Sequence, residues 1–454
     1  MRSRKSSRFR AGAHLQGLFK SLLRNCEKLV NRSRNSALAR NSGWMFLGYG
    51  LRIGVQAVYF VLIARDLGPG EYGAFVGVVS LAAIVSPFAS LGSGNLLIKN
   101  VVRDPRTFPE CWGNAILMCC ASGLFLLTTV IAIARFWLPP NIGWSLILMV
   151  CIADLLLARI ADVAGQAFQA MNQMRYTAAL NLLPSTLRLV SAAYILLAWH
   201  HATAANWAVF YLGGTLLSSM FAVILTNWKL GMPKIALCRI REELAEGFYF
   251  GASQSAQTVY NDIDKTMLVR LSSLDATGIY AAAYRIIEVA FTPVRAVLNG
   301  AYPEFFRHGQ HGVAASYAYA KRLLPKLIGY SVTIFALICI MAPVLPLVLG
   351  DEYVKAVEAL RWLAVLPLLK TVHYFIADAL TGAGHQRVRT ASQIMVALLN
   401  VGLNLWLIPA YSWRGAAWAS ILSDGALAVT LYVALTLIKV RSATPAAALE
   451  AKQA

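Results

Sequence analysis

Apolar stretches of helix length recur from about residue 43 to about residue 440, separated by short polar connections. Crossing roughly 30 Å of hydrocarbon takes about 20 mostly apolar residues in a helix. Only helices and closed barrels satisfy their backbones at that depth, and these runs are too long for barrel strands. The pattern predicts an all-α polytopic membrane protein with spans at about 43–64, 73–97, 112–135, 143–165, 176–198, 206–228, 247–270, 277–302, 324–349, 356–381, 390–409 and 415–438. That is about 12 transmembrane helices.

The connections alternate in charge. One side carries Lys99, Arg103 and Arg106, then Arg175, then Lys229, Lys234, Arg239 and Arg241, then Arg307, Lys321, Arg322 and Lys326, then Arg387 and Arg389. The other side has little beyond Arg65, Arg135, Arg270, Lys355 and Arg414. The positive-inside rule puts both termini in the cytoplasm.

The halves repeat one another. Residues 64–75 read ARDLGPGEYGAF after the first span, and residues 269–280 read VRLSSLDATGIY after the seventh. Arg65 and Arg270 are 205 residues apart, as are Gly73 and Gly278. Gln173 with Thr177 and Ala178 matches Gln386 with Thr390 and Ala391 at an offset of 213. An even number of spans per half makes these parallel repeats, which predicts two six-helix bundles rocking about a central cavity. The expected organisation is a tail at 1–41, an N-terminal bundle at 42–228, a cytoplasmic linker at 229–246, a C-terminal bundle at 247–440 and a tail at 441–454.

Composition agrees: 58% of residues are hydrophobic and 14% charged, against about 45–50% and about 25% in soluble domains. The net charge of +20 changes the picture only at the N-terminus. Eleven of the cations fall in residues 1–41 against the single acid Glu27. There Leu15, Leu18, Phe19, Leu22, Leu23, Cys26, Leu29 and Val30 recur at helical spacing. This predicts an interfacial amphipathic helix on anionic membrane lipid rather than a nucleic-acid-binding arm. An acid-poor start rich in Arg and Ser also resembles an organellar transit peptide.

Chemistry has to be sought among charges placed inside the spans, where each costs about 2.5–3.5 kcal/mol unless it faces water or a partner. Arg52, Arg188, Lys265, Arg285 and Arg295 are candidate cavity cations for an anionic solute. Arginine grips phosphate with a two-pronged fork, and lysine acts as a point charge. Asp154, Asp262, Asp264, Asp378 and Asp424 are candidates for ion coupling. Structural pairing is the alternative. Arg285 and Glu288 are three apart, and Asp262 or Asp264 can pair with Lys265 or with Arg52 across the bundle. There is no Walker A sequence, cofactor motif or metal-ligand set, and His200–His201, His373 and His385 lack recognisable partners. These features point to a transporter rather than an enzyme.

The segment ARDLGPGEYGAF after an apolar span, with QAMNQ at 169–173 entering span five, resembles bacterial O-antigen and exopolysaccharide flippases. These belong to the multidrug/oligosaccharidyl-lipid/polysaccharide (MOP) exporter superfamily. The resemblance covers about residues 42–440. It implies two six-helix bundles around a V-shaped cavity. It also implies movement of a polyprenyl-pyrophosphate-linked oligosaccharide from the cytoplasmic to the periplasmic leaflet of the inner membrane, driven by a proton or sodium gradient, with polysaccharide assembly proteins as candidate partners and no cofactor. The basic 41-residue extension departs from the short N-terminus of that family. Two alternatives remain: a drug or organic-cation exporter of the same fold, which wants an acidic or apolar cavity, and a membrane glycosyltransferase or polymerase, which wants a large catalytic loop.

Overall fold

The computed structural model describes residues 37–198, 202–236, 258 and 261–453. The expected amphipathic helix of the tail lies outside them, as do residues 237–246 of the linker and the first part of expected span seven. Among the described residues the chain is helical, with no strand.

The first helix, α1 (Ala37–Val85), is broken at Gly68, whose φ of 68° is left-handed. Then come α2 (Ser93–Arg103), α3 (Phe108–Trp137), α4 (Trp144–Cys151), a π-helical stretch (Ile152–Leu157) and α5 (Ala158–Ala170). α6 (Met174–Ala198) and α7 (Ala204–Leu230) complete the first half. Beyond the linker comes α8, described over residues 261–271. It is followed by α9 (Leu274–Gly309), α10 (Val313–Met341), the short α11 (Leu345–Leu349), α12 (Val354–Leu363), α13 (Leu366–Gly382), α14 (Gln386–Tyr411) and α15 (Trp413–Gln453).

Eight helical stretches among the described residues are long and apolar enough to cross a membrane, and Leu47–Arg103 contains two of the expected spans in one run. Expected span four is divided by the π-helical stretch and carries Asp154, Arg159 and Asp162. Expected span eight falls on α9, whose hydropathy is lowered by Arg285 and Glu288. The polar residues that mark these two helices as interesting thus remove them from a purely apolar criterion. Phe136, Leu197, Trp228, Ile340, Leu347 and Trp406 stand exposed on the surface, an arrangement suited to lipid rather than water.

The apolar cores show how the halves join. One cluster contains Ala64, Tyr72 and Phe75 of α1, Trp207 and Tyr211 of α7, Tyr280 and Tyr284 of α9, and Tyr353. It therefore belongs to both halves. Further along α9, Phe291 and Phe305 pack with Phe375 and Leu431 in a second cluster. Further along α7, Ala222 packs with Phe108, Trp112 and Phe168 in a third. The halves share a core where α7 and α9 begin and have separate cores where those helices end.

The shared end is closed by backbone contact. A Cβ at Gly73 would lie 1.8 Å from the Leu274 carbonyl oxygen, and one at Gly278 would lie 1.9 Å from that of Pro69. These are the two glycines related by the 205-residue offset read from the sequence. Tyr353 donates to the Ala64 carbonyl at 2.9 Å, and Glu71 accepts from the Ala204 backbone N–H at 2.6 Å, covering the start of α7.

At the other end the linker is clasped. Buried Asn114 accepts from the Ala236 N–H at 2.9 Å and donates to its carbonyl at 3.1 Å. Lys234 donates its N–H to the Pro109 carbonyl at 2.8 Å. Asn114→Ala is expected to lose about 1–3 kcal/mol, because linker groups are left unsatisfied in a buried site. An unchanged unfolding midpoint in detergent would contradict the clasp.

Candidate functional site

Three polar cavities and one apolar pocket carry most of the sequence-predicted residues, all but Asp264 and Asp424. The central cavity, about 340 Å³, lies between the halves and is lined by Gln56, Tyr59 and Tyr72 of α1, Arg188 of α6, Tyr211 of α7, Asp262 and Lys265 of α8, and Tyr284, Arg285 and Glu288 of α9. It brings together three of the five candidate cations named from sequence, Arg188, Lys265 and Arg285. It also brings two carboxylates, so the lining is less positive than the list of buried cations suggests.

Spacing on single helices explains the pairing. Lys265 Nζ lies 2.7 Å from Asp262 Oδ1, donates to the Asn261 carbonyl at 3.0 Å and sits 4.2 Å from the centre of the Tyr284 ring. Arg285 pairs with Glu288 at 3.0 Å. Both are three-residue steps on one helix face. Of the alternatives left open by sequence, Asp262 is the partner of Lys265. Arg285 also reaches across the halves, donating to Gln56 Oε1 at 3.2 Å, while Gln56 Nε2 donates to Ser185 Oγ at 3.3 Å.

A smaller cavity, about 190 Å³, adjoins the first and shares Arg188 and Tyr211 with it. Arg52, Asp154, Arg159 and Asp162 complete its charged lining. Asp154 stands in the π-helical stretch, a departure from regular helix often found at functional positions. Tyr211 donates its hydroxyl to Asp154 at 2.7 Å, and the Arg188 guanidinium lies 4.0 Å over the Tyr211 ring. The Arg188 Nε is buried with no hydrogen-bond partner among the described residues. Arg159 is paired with Asp162 at 3.1 Å.

The third cavity, about 430 Å³, lies in the second half and is lined by Asn261, Arg295, Asn299, Tyr374, Asp378 and Arg389, among others. Arg295 and Asp378 are thus held apart from the central group. Asp378 is engaged by Arg389 at 2.9 Å, which also donates to Thr381 Oγ1 at 3.0 Å.

Asp264 and Asp424 line none of these cavities; both are buried in the second half. Asp264 accepts from the Tyr280 hydroxyl, from Ser420 Oγ at 3.3 Å and from the Lys265 backbone N–H at 2.7 Å. His373 Nε2 lies 3.3 Å from Asp424 Oδ1 but out of hydrogen-bond alignment. Nearby, Asn400 donates to Ser423 at 3.0 Å and Asn404 to Asn400 Oδ1 at 2.9 Å.

Sequence reasoning missed Lys370, a buried cation of α13 that donates to the Tyr284 hydroxyl at 2.7 Å. The signal was present: a lysine in the middle of the run LAVLPLLKTVHYF. Tyr211, Tyr280 and Tyr284 were also missed, because a tyrosine in an apolar run reads as core.

The apolar pocket, about 330 Å³, is walled by Phe60, Val61, Ile286, Ile338, Leu345 and Leu349, among others. It touches the central cavity at two residues, Phe60 and Arg285.

Comparison with known proteins fits this arrangement. The family described as "Polysaccharide biosynthesis protein" matches residues 38–307. The probable low-salt glycan biosynthesis flippase Agl15 of Haloferax volcanii is 21% identical over 393 residues, 85% of this chain and 81% of that protein. An inward-facing multidrug resistance transporter of the MATE family, in the MOP superfamily, superposes with a TM-score of 0.70 at 14% identity, covering 86% of this chain and 98% of the other. The lipid II flippase MurJ in an inward closed conformation gives 0.67 at 11% identity, covering 87% of each chain. The chain is a multi-span membrane protein with the fold of these MOP-superfamily structures.

Proposed function

We propose that this chain, which belongs to the polysaccharide biosynthesis protein family, flips a polyprenyl-pyrophosphate-linked oligosaccharide between membrane leaflets by alternating access. One observation carries the reading. A polar cavity with three cations and an apolar pocket of similar size meet at Arg285 and Phe60. That is the division an amphiphile requires: phosphate against guanidinium, hydrocarbon against hydrocarbon. The match to a relative named as a glycan biosynthesis flippase supports the substrate class.

The reading extends to organisation. About 12 spans form two six-helix bundles at 42–228 and 247–440, joined by the linker 229–246, with both termini cytoplasmic in a bacterial inner membrane. In this scheme the tail at 1–41 rests on anionic lipid, and O-antigen or exopolysaccharide units are the cargo. Arg188, Lys265 and Arg285 hold the pyrophosphate, with Arg52 on the adjoining wall. Asp154, Asp262, Asp264, Asp378 and Asp424 stay candidates for ion coupling, and buried Asp264 and Asp424 suit a small cation or proton better than a glycan. An organic-cation exporter is disfavoured because both carboxylates of the central cavity, Asp262 and Glu288, are already held by cations.

Arg285→Ala is expected to lower glycan export about tenfold, corresponding to about 1.4 kcal/mol. Arg285→Lys should recover only part, since a point charge cannot form the fork. The measurement is complementation of an export-deficient host at matched protein level. Wild-type export from Arg285→Ala combined with Arg188→Ala would end this reading.

A further inference from the structure

We infer that the 430 Å³ cavity of the second half is a separate subsite for a sugar ring of the glycan, one beyond the ring attached to pyrophosphate. The inference rests on the flippase reading and deepens it.

Position argues first. The apolar pocket opens on the central cavity and shares no residue with the third one, so a phosphate tied to a lipid belongs in the centre. The third cavity begins next door. Asn261 lines it, and the same residue's carbonyl accepts Lys265 Nζ of the central cavity at 3.0 Å. Along α9, Arg285 of the centre and Arg295 of the third cavity are ten residues apart, about 15 Å of helical rise. That is longer than one sugar ring, so a ring seated by Arg295 follows at least one other.

Chemistry argues next. A sugar ring presents hydroxyls that donate and accept at its edge and C–H groups on its faces. Asp378 supplies an acceptor, Arg295 and Arg389 supply donors, and Asn299 supplies both. Arg389 and Asp378 already neutralise each other at 2.9 Å, so this pair offers hydrogen bonds rather than net charge. Tyr374 adds an aromatic ring to the lining, braced by Phe291 at 5.8 Å and His373 at 4.6 Å between ring centres. The volume falls within the range of about 300–1,000 Å³ usual for ligand pockets.

The test uses purified full-length protein and three probes: polyprenyl pyrophosphate without sugar, the same carrier with one sugar, and the full lipid-linked oligosaccharide extracted from cells lacking this protein. Wild type should hold the full compound about tenfold more tightly than the other two. Asn299→Ala, a cavity-wall change exposed to solvent, and Tyr374→Ala should each erase that gain while binding the sugarless carrier within about twofold of wild type. Undiminished preference for the full compound in both variants, or equal weakening toward all three probes, would overturn the subsite and leave the flippase reading standing. Failure of folded wild type to bind any probe would overturn both.

Discussion

Valine in place of Gly278 should cut glycan export about a hundredfold in protein that still inserts and accumulates. The Cβ of any residue there would lie 1.9 Å from the Pro69 carbonyl oxygen, and a backbone oxygen cannot rotate away as a side chain can. Overpacking at such a contact costs about 1–3 kcal/mol, and the strain is relieved only if the starts of α9 and of the second segment of α1 move apart. That movement pulls on the Tyr353–Ala64 hydrogen bond and opens the end of the cavity that the repeats close. Gly73→Val should behave alike, since its Cβ would lie 1.8 Å from the Leu274 carbonyl. In a cysteine-free background, a cysteine at Ser80 on the cavity wall should become reachable by a thiol reagent through the glycine end. Normal export, or no gain in labelling, would show that this contact is dispensable.

Lys265→Ala should be comparably severe, with an informative split between folding and transport. Removing one member of a buried pair leaves the other charge stranded, at about 3–5 kcal/mol where burial is complete. Asp262 keeps 25% of its side-chain area exposed, so the loss should fall below that range. Lys265→Ala combined with Asp262→Ala should regain most of the lost thermal stability because no charge is stranded. Export should stay about a hundredfold down, because a cation facing the cavity is still missing. Recovery of export with stability would assign Lys265 a purely structural role.

The parts of this site legible in sequence were those written within one helix. Arg285 with Glu288 and Lys265 with Asp262 are three-residue steps that any helix brings together. The meeting of Gly73 and Gly278 was foreshadowed by their common offset, although sequence alone placed the stretch before Gly73 between spans, where the structure has a helix broken only at Gly68. What remained hidden depends on side chains far apart in the chain. Tyr211 and Asp154 are 57 residues apart, and Arg285 and Gln56 are 229 apart. Asp264 and Asp424 carried the same signal as Asp262, an acid inside a span, and only packing shows that they face the protein core instead of the cavity. Prolines in or near the spans divide similarly. Pro184 lies inside α6, whereas Pro87, Pro346 and Pro367 sit in the first turn of a helical segment, where a missing N–H costs little.

The core shared by both halves at one end, and not continued among the described residues at the other, makes each long helix a lever. The 36 residues of α9 extend about 54 Å, so each degree of tilt about its Leu274 end sweeps the Gly309 end by about 1 Å. Slack at the pivot would be multiplied in the same proportion. A fulcrum of two backbones pressed together has no side chain between them to change rotamer, and in the alternating-access scheme proposed above it would turn small rotations into a repeatable stroke.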